Sequence, residues 1–294
     1  GPANLQVSGP QAMRAEILAA VAKARAQLPA GDETFDVLFV GAAGVARPGD
    51  REEVSALLKE TGVAGKVVVD NDAVIALAGG TLGQPGVVVI AGTGSIAFGV
   101  NARGERARAG GWGYVLGDEG SAYDIGRQAL ASVMRASDGR GEPTALCDAI
   151  LQHFKITSPD DLVGLVYQKG LGRADIAGLA VLVAEVARKG DRVARRILRK
   201  AGTELGAAAA SVVRKLGMGS EAVLCVTSGG VFRAGELVRR ALVRELAKTC
   251  PACEVVEARF PPVVGAYLLG IQEAGSRITG RVVENIEESL FRTV

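Results

Sequence analysis

Runs of β-branched and other apolar residues mark the strands that the chain is expected to form. Buried strands are predicted at Phe35 to Val40, Lys66 to Asp70, Val87 to Ile90 and Ala222 to Thr227, with Ile96 to Val100 as the return strand of a hairpin. Apolar residues at helical spacing predict helices at Ala12 to Leu28, Arg51 to Glu60, Ala73 to Ala78, Arg173 to Arg188, Asp191 to Leu216 and Ala234 to Lys248. Asp50 is expected to cap the second of these helices. Alternation of strands and helices is typical of an α/β fold.

A glycine-rich turn, Ala91 to Ser95, joins the two strands of the predicted hairpin. Gly92 and Gly94 permit positive φ, so backbone N–H groups can point into one concavity, and Thr93 and Ser95 add hydroxyl donors at its rim. Such a nest suits phosphate oxygens, although the turn lacks the lysine of a Walker loop and a strand follows it. An ordinary glycine-rich β-turn is the alternative.

The single tryptophan of the chain, Trp112, lies among Gly110, Gly111 and Gly113, a setting that core packing does not require. The segment then continues to Asp118 and Glu119, just before a helix that is expected to begin at Ser121 and to carry a capping box with Asp124. We expect Asp118 on a loop that can face a cleft. The alternative is that Asp118 and Glu119 are only an acidic pair that interacts favourably with the dipole at the helix N-terminus.

A second acidic group follows the predicted strand Lys66 to Asp70. Ligands of open α/β sheets bind beyond the carboxyl ends of strands, so Asp72 is placed to accept the proton of a substrate hydroxyl. Since His153 is the sole histidine and lies in an apolar helix, general-base chemistry is expected from a carboxylate. We interpret Asp70 as the cap of the next helix, with Asn71 as the alternative.

Composition excludes several classes of function. The chain has 294 residues, 48% of them hydrophobic, enough to bury a sizeable core, and a net charge of +2 gives no electrostatic case for nucleic acid or a membrane surface. We find no apolar run long enough to span a bilayer and no signal-peptide pattern, so a cytoplasmic protein is expected. Cys250 and Cys253 form a single CxxC, which is weak evidence for a zinc or redox site.

AGTGS at 91–95, followed by GGWGYVLGDEGSAY at 110–123, resembles the N-acetylglucosamine kinase family within the BadF/BadG/BcrA/BcrD group of actin-like ATPases. The resemblance implies two α/β, RNase H-like domains around an interdomain cleft that closes on sugar and ATP. We expect residues 1–84 to form the first domain, against which 276–294 packs back, and residues 85–275 to form the second, with a helical insertion. The hinge is expected near Thr81 to Gly86.

The resemblance implies ATP-dependent phosphorylation of the 6-hydroxyl of N-acetylglucosamine or glucosamine, with Asp72 as the catalytic base. The implied sugar contacts are Asn4, Asp72, Thr93, Gly111, Trp112 and Asp118. The implied phosphate contacts are Gly92, Thr93, Gly94 and Ser95, and the implied adenosine contacts are Ala201, Ser228, Gly229 and Gly230. Mg²⁺ is expected to bridge the phosphates, and a homodimer is expected from the family.

Two departures from the family pattern keep other functions open. The family's N-terminal strand and DGGGT-type phosphate turn are absent from this sequence, which we interpret as truncated; we expect the chain as given to bind the sugar but to phosphorylate it poorly. Ile96 stands where animal relatives have an asparagine beside the sugar. The alternatives are a sugar-binding pseudokinase and an ATPase activator of a dehydratase, whose relatives have a cysteine just before AGTG where this chain has Val89 and Ile90.

Overall fold

The computed structural model describes residues 5–27, 34–45, 47–168 and 170–292. The chain divides into two compact units: unit 1 is Gly1–Gln84 with Ala258–Val294, and unit 2 is Pro85–Glu257. The division expected at residue 275 differs from this grouping, because the helix that begins at Pro262 packs on elements of unit 1.

Both units combine helices with β-sheet, as an α/β fold requires. The strands are β1 (Phe35–Ala42), β2 (Ala64–Asn71), β3 (Gly86–Ala91), β4 (Ser95–Val100), β5 (Arg106–Gly110), β6 (Leu224–Ser228) and β7 (Glu254–Glu257). The helices are α1 (Leu5–Arg25), α2 (Pro48–Lys59), α3 (Asp72–Thr81), α4 (Ala122–Ser137), α5 (Leu146–Phe154), α6 (Asp161–Val163), α7 (Arg173–Arg188), α8 (Arg192–Lys215), α9 (Glu236–Ala247), α10 (Pro262–Glu273) and α11 (Gly280–Arg292). Within the described ranges, none of the helices is long and apolar enough to cross a bilayer.

Unit 1 is built on the parallel pair β1–β2, in which Phe39 lies opposite Val68. Helix α10 packs on α3 and on β1. The contact between α3 and α10 is very close, because a Cβ atom added to Gly265 would lie 1.8 Å from the carbonyl oxygen of Ile75. Val283 and Ile286 of α11 join the apolar cluster at α10. The C-terminal segment is therefore part of this unit's core.

Unit 2 contains a five-stranded sheet with the order β5-β4-β3-β6-β7. Strand β3 is central: Val87, Val88 and Val89 are fully buried, as expected of a continuous β-branched run. It pairs antiparallel with β4, which confirms the predicted hairpin, and parallel with β6. The apolar pattern does not predict the outer strands β5 and β7, because both are short and polar and pair on one side only.

Three helix starts differ in detail from the sequence-based expectation. Helix α2 begins at Pro48, and Asp50 accepts the Arg47 N–H at 3.3 Å from inside the first turn. Asn71, not Asp70, caps α3 by accepting the Ala73 N–H at 2.8 Å. The Asp70 side chain instead pairs with Arg51 at 3.4 Å. Helix α9 begins at Glu236, because Gly230–Ala234 forms a 3₁₀ turn ahead of it. A proline at the first helical position and an asparagine cap are the usual devices at such ends.

Candidate functional site

The candidate site of unit 2 lies where β3 and β6 end. The two strands are parallel and in register from Val87 opposite Cys225 to Ile90 opposite Ser228, so their carboxyl ends meet at the same sheet edge. The turn after β3 and the Gly229–Gly230 turn after β6 are thereby brought together. Gly229 has φ 109°, and a Cβ atom there would lie 2.4 Å from the Ala91 carbonyl oxygen. Glycine is therefore required at this crossing of the two turns.

The turn Gly92–Gly94 is held by hydrogen bonds from both sides. Gly92 N–H donates to the Gly94 carbonyl at 2.9 Å, and the Gly92 carbonyl accepts from Ala122 N–H at 2.8 Å, at the start of α4. Neither Gly92 nor Gly94 has positive φ, contrary to the sequence-based expectation. Gly94 is instead constrained by its surroundings, since a Cβ atom there would lie 2.8 Å from Asp118 Oδ2.

The two hydroxyl residues of the turn differ in their environment. Thr93 is exposed at the turn, whereas Ser95 is buried and its Oγ donates to the Glu119 carbonyl at 2.8 Å. The expectation that both hydroxyls lie at the rim is therefore wrong for Ser95, because that hydroxyl fastens the turn to the loop before α4.

Asp118 connects this turn to helix α7. Its backbone has φ 63°, and its side chain is only 4% exposed. Oδ1 accepts the Ser95 N–H at 3.2 Å, and Oδ2 accepts from Arg173 Nη2 at 2.9 Å. Both carboxylate oxygens thus have partners within unit 2. The sugar contact predicted for Asp118 stays a prediction, while its structural partners are set by the fold.

The N-terminus of α4 follows directly. Ser121 Oγ accepts the Asp124 N–H at 3.1 Å, so the predicted cap is confirmed. The Asp124 carboxylate, however, accepts from the Gly120 N–H at 3.1 Å and not from Ser121. The capping box is therefore displaced by one residue, because the chain turns through Gly120 at φ 76°.

A cavity of about 490 Å³ in unit 2 opens against this turn. One side is formed by Gly92, Thr93 and Ala122, and another by Gly230 and the 3₁₀ turn that it begins. The long wall is a stripe along α7, formed by residues that recur at helical spacing: Ala174, Ala177, Gly178, Ala180, Val181, Ala184 and Arg188. A groove of about 550 Å³ beside β2 in unit 1 contains none of the predicted site residues.

The structure brings together only some of the residues predicted to hold a nucleotide. Gly92, Thr93 and Gly230 line the cavity, with Ser228 and Gly229 just before Gly230. Ala201 does not line it: this residue is fully buried in α8, and its carbonyl oxygen would lie 2.6 Å from a Cβ atom on Gly120. The adenosine contact predicted at Ala201 stays a prediction, and the wall of the cavity is formed instead by the α7 stripe. Its signal in the sequence is the recurrence of small residues from 174 to 184.

The segment that carries the tryptophan lies beside the same hairpin. Gly111 N–H donates to the Ser95 carbonyl at 3.0 Å, and Gly111 packs on the Ile96 side chain. Trp112 is 60% exposed, with the guanidinium carbon of Arg108 4.4 Å from the ring centroid. As expected from its glycine neighbours, the tryptophan does not fill a core. Its predicted sugar contact, and that of Gly111, stays a prediction.

Asp72 is described within unit 1, where it is the first residue of α3 and directly follows β2. Burial raises the pKa of its carboxyl group, and the backbone N–H groups of Ala73 and of Asp72 itself partly oppose this rise. A raised pKa makes the carboxylate a stronger base than an ordinary surface aspartate. Asn4 lies outside the described residues.

The cysteines give no support for a metal or redox site. In the part of the chain that the structure describes, no three His, Cys, Asp or Glu side chains are grouped as metal ligands. Burial raises the pKa of Cys225 to about 12. The pKa of Cys253 is also raised, first by burial and then by a hydrogen bond with Cys250. Such thiols remain protonated near neutral pH and are poor nucleophiles.

Comparison with known proteins identifies the family. Residues 1–270 match the BadF/BadG/BcrA/BcrD ATPase family. The chain belongs to this family. It is 34% identical over 273 residues to an N-acetylmuramic acid/N-acetylglucosamine kinase from Clostridium acetobutylicum, covering 93% of this chain and 89% of that protein. It is 35% identical over 243 residues to an N-acetyl-D-glucosamine kinase from Dictyostelium discoideum, covering 81% and 76% of the two chains.

A solved structure agrees with this assignment. It is a Chromobacterium violaceum protein proposed to be an N-acetylglucosamine kinase, and the match has a TM-score of 0.70 at 27% sequence identity, covering 92% of this chain and 87% of that one. The resemblance to the BadF/BadG/BcrA/BcrD group and the actin-like ATPase fold expected from it are thereby confirmed.

Proposed function

We propose that the protein is an ATP-dependent amino sugar kinase, which converts ATP and an amino sugar into ADP and the sugar phosphate. The observation that carries the proposal is the cavity of unit 2, in a chain that belongs to an ATPase family. It joins the turn after β3 to the turn after β6 at the carboxyl edge of the sheet, where α/β proteins bind ligands. The names of the two curated relatives support an amino sugar as the acceptor.

The cavity has two chemically different ends, which suggests how a nucleotide would lie in it. The end at Gly92, Thr93 and Ala122 offers the hydroxyl group of Thr93 and the positive N-terminus of α4, and it suits phosphates. The N–H groups of Gly92 and Ala122 are themselves bonded within the turn. The stripe from Ala174 to Arg188 covers 14 steps of α7, which is about 21 Å at about 1.5 Å per residue. Its small side chains leave space for a flat base beside Gly230.

Asp72 is the residue that we propose as the general base. A carboxylate with a raised pKa can accept a hydroxyl proton and orient that oxygen for attack on the γ-phosphoryl group. We propose the 6-hydroxyl of N-acetylglucosamine or glucosamine as the acceptor. Thr93, Gly111, Trp112 and Asp118 stay proposed sugar contacts, and the exposed Trp112 ring offers the apolar surface that sugar rings favour.

Mg²⁺ is proposed to enter with ATP. Among the described residues no cluster of three metal-binding side chains offers a cage for it. Mg²⁺ commonly keeps several waters and binds through substrate phosphates with one or two carboxylates, so such a cage is not needed. The ion would neutralise charge on the phosphates, while the residues of this chain orient the two substrates.

The test is a coupled assay of ADP release with N-acetylglucosamine, glucosamine, N-acetylmuramic acid and glucose as separate acceptors. For the chain as given, which lacks the family's DGGGT-type turn, the expected result is slow ADP release that depends on an amino sugar, with the product's phosphate located by NMR. ATP binding without phosphorylation of any amino sugar would contradict the proposed function. Equal turnover of glucose and the amino sugars would contradict the substrate class.

A further inference from the structure

We propose that Arg173 binds the terminal phosphate of the nucleotide and that Asp118 is the positioning residue that holds it there. The inference rests on the proposed function only in taking ATP as the ligand. Arg173 is the first residue of α7, and its side chain is 41% exposed, whereas that of Asp118 is 4% exposed. A half-exposed cation is thus anchored by a buried carboxylate, 2.9 Å away.

The guanidinium group lies at the turn that forms the phosphate end of the cavity. A Cβ atom added to Gly94 would lie 2.9 Å from Arg173 Nη2. Gly92 and Thr93 of the same turn line the cavity, as does Ala174, the neighbour of Arg173 on α7. Arg173 itself does not line the cavity, so we place an anion that it binds at the edge of the cavity where the turn meets the start of α7.

The arginine keeps hydrogen-bonding capacity in this position. A guanidinium group has five N–H donors, and within the described residues its hydrogen bond is the one from Nη2 to Asp118 Oδ2. The group also stands over the Tyr114 ring, with its central carbon 5.2 Å from the ring centroid. The remaining donors suit a tetrahedral phosphate, which arginine binds with two parallel hydrogen bonds.

Two other acidic side chains, close in sequence to Arg173 and Asp118, already have hydrogen-bond or ion-pair partners of their own. The Asp175 carboxylate accepts the Gly172 N–H at 2.9 Å, and Asp124 pairs with Arg127 at 2.9 Å. Asp118 also receives the Ser95 N–H, so its charge is shared between the turn and the arginine. The arrangement thus links three elements, the turn, the loop before α4 and the start of α7, at the carboxylate of Asp118.

The alternative is that the ion pair merely fixes the loop before α4. The two roles differ in what they do to nucleotides with and without phosphates. A phosphate contact affects the affinity for an ATP analogue and not that for adenosine. A structural role affects both affinities alike, through the shape of the cavity, or neither.

The experiment measures binding of AMP-PNP and of adenosine by calorimetry, with thermal unfolding as the check on folding. Arg173→Gln is expected to weaken AMP-PNP binding by about 10- to 100-fold, as for loss of charge-assisted hydrogen bonds, and to leave adenosine binding within about twofold. Arg192→Gln is the matched control, because Arg192 is the exposed first residue of the neighbouring helix α8 and does not line the cavity. The control should bind both ligands as the parent chain does.

Two conservative variants keep the test decisive if Arg173→Gln does not fold. Arg173→Lys retains the charge but not the paired geometry, and it is expected to lose about three- to tenfold in AMP-PNP affinity only. Asp118→Asn is expected to lower the same affinity while adenosine binding stays within about twofold. Unchanged AMP-PNP binding in the Arg173 variants, or equal losses for both ligands, would overturn the inference. Strong AMP-PNP binding through Arg173 without phosphorylation of any amino sugar would refute only the proposed kinase activity.

Discussion

A leucine at Gly178 should block the cavity and stabilise the protein in the same variant. Gly178 lies in the middle of α7 and lines the cavity, and a Cβ atom added there meets no other atom within 4 Å. The Cβ atom of the new side chain therefore meets open space. The side chain extends into the space that we propose for the nucleotide.

The expected magnitudes follow from these two facts. Glycine is about 0.8–1.0 kcal/mol less favourable than alanine inside a helix, and leucine is close to alanine, so Gly178→Leu should raise the free energy of unfolding by about 0.5–1 kcal/mol. For a unit of this size the melting temperature should rise by about 1–4 °C. Overlap of a ligand with added methylene groups costs about 1–3 kcal/mol, which corresponds to about 5- to 150-fold weaker ATP binding.

Calorimetry with ATP and thermal unfolding measure both effects on one protein sample. Gly178→Ala should show most of the stabilisation with a smaller loss of affinity, so the loss follows side-chain size. Gly49→Leu is the control, because Gly49 lies in α2 of unit 1 with no atom within 4 Å of an added Cβ. A stabilised Gly178→Leu protein that binds ATP with the parent's affinity would show that the cavity is not the nucleotide site.

Three further outcomes are expected. Asp72→Asn should lower kcat by about 100-fold or more, with sugar affinity within about tenfold. In the parent chain, kcat should begin to fall at a higher pH than an ordinary aspartate would give, because the base must be deprotonated and burial raises the pKa of Asp72. A pH–rate profile that is the same in both proteins would exclude Asp72 as the base. Trp112→Ala should weaken sugar binding more than ATP binding in calorimetry, and the reverse order would move Trp112 to the nucleotide side. Gly229→Ala, measured by urea unfolding, should lower the free energy of unfolding by about 2 kcal/mol or more, because the site combines positive φ with a Cβ atom 2.4 Å from a carbonyl oxygen. Gly235→Ala, at φ 121° with open space around it, should lower this free energy by less.

Much of the framework can be predicted locally. The buried run at 87–90 and the glycine turn after it predict the hairpin of β3 and β4, and helical periodicity predicts the bounds of α7, Arg173–Arg188. The ends of other elements are less predictable. Asp70 and Asn71 both have side chains that can cap a helix, and burial of Asp70 beside Arg51 leaves the cap to Asn71.

The side-chain roles within the turn are harder to predict. Thr93 and Ser95 have the same hydroxyl chemistry, yet Ser95 is turned inward to the Glu119 carbonyl and Thr93 is exposed. The pattern of apolar and polar residues around the turn cannot predict which hydroxyl is buried, because the hydrogen-bond partner of Ser95 is 24 residues away. The pattern predicts positive φ at Gly94, whereas this glycine supplies room for Asp118.

The sequence by itself determined the elements whose signals are local: the β-branched strands, the periodic helices, and the GGWGYVLGDEGSAY segment that indicates the family. Only the tertiary structure decided which residues share the cavity. Arg173 reaches Asp118 from 55 positions away, and the α7 stripe faces Gly92 and Gly230 only because α7 packs within unit 2. Such contacts depend on how helices and sheet pack on each other. The spacing of residues along a single segment does not predict that packing.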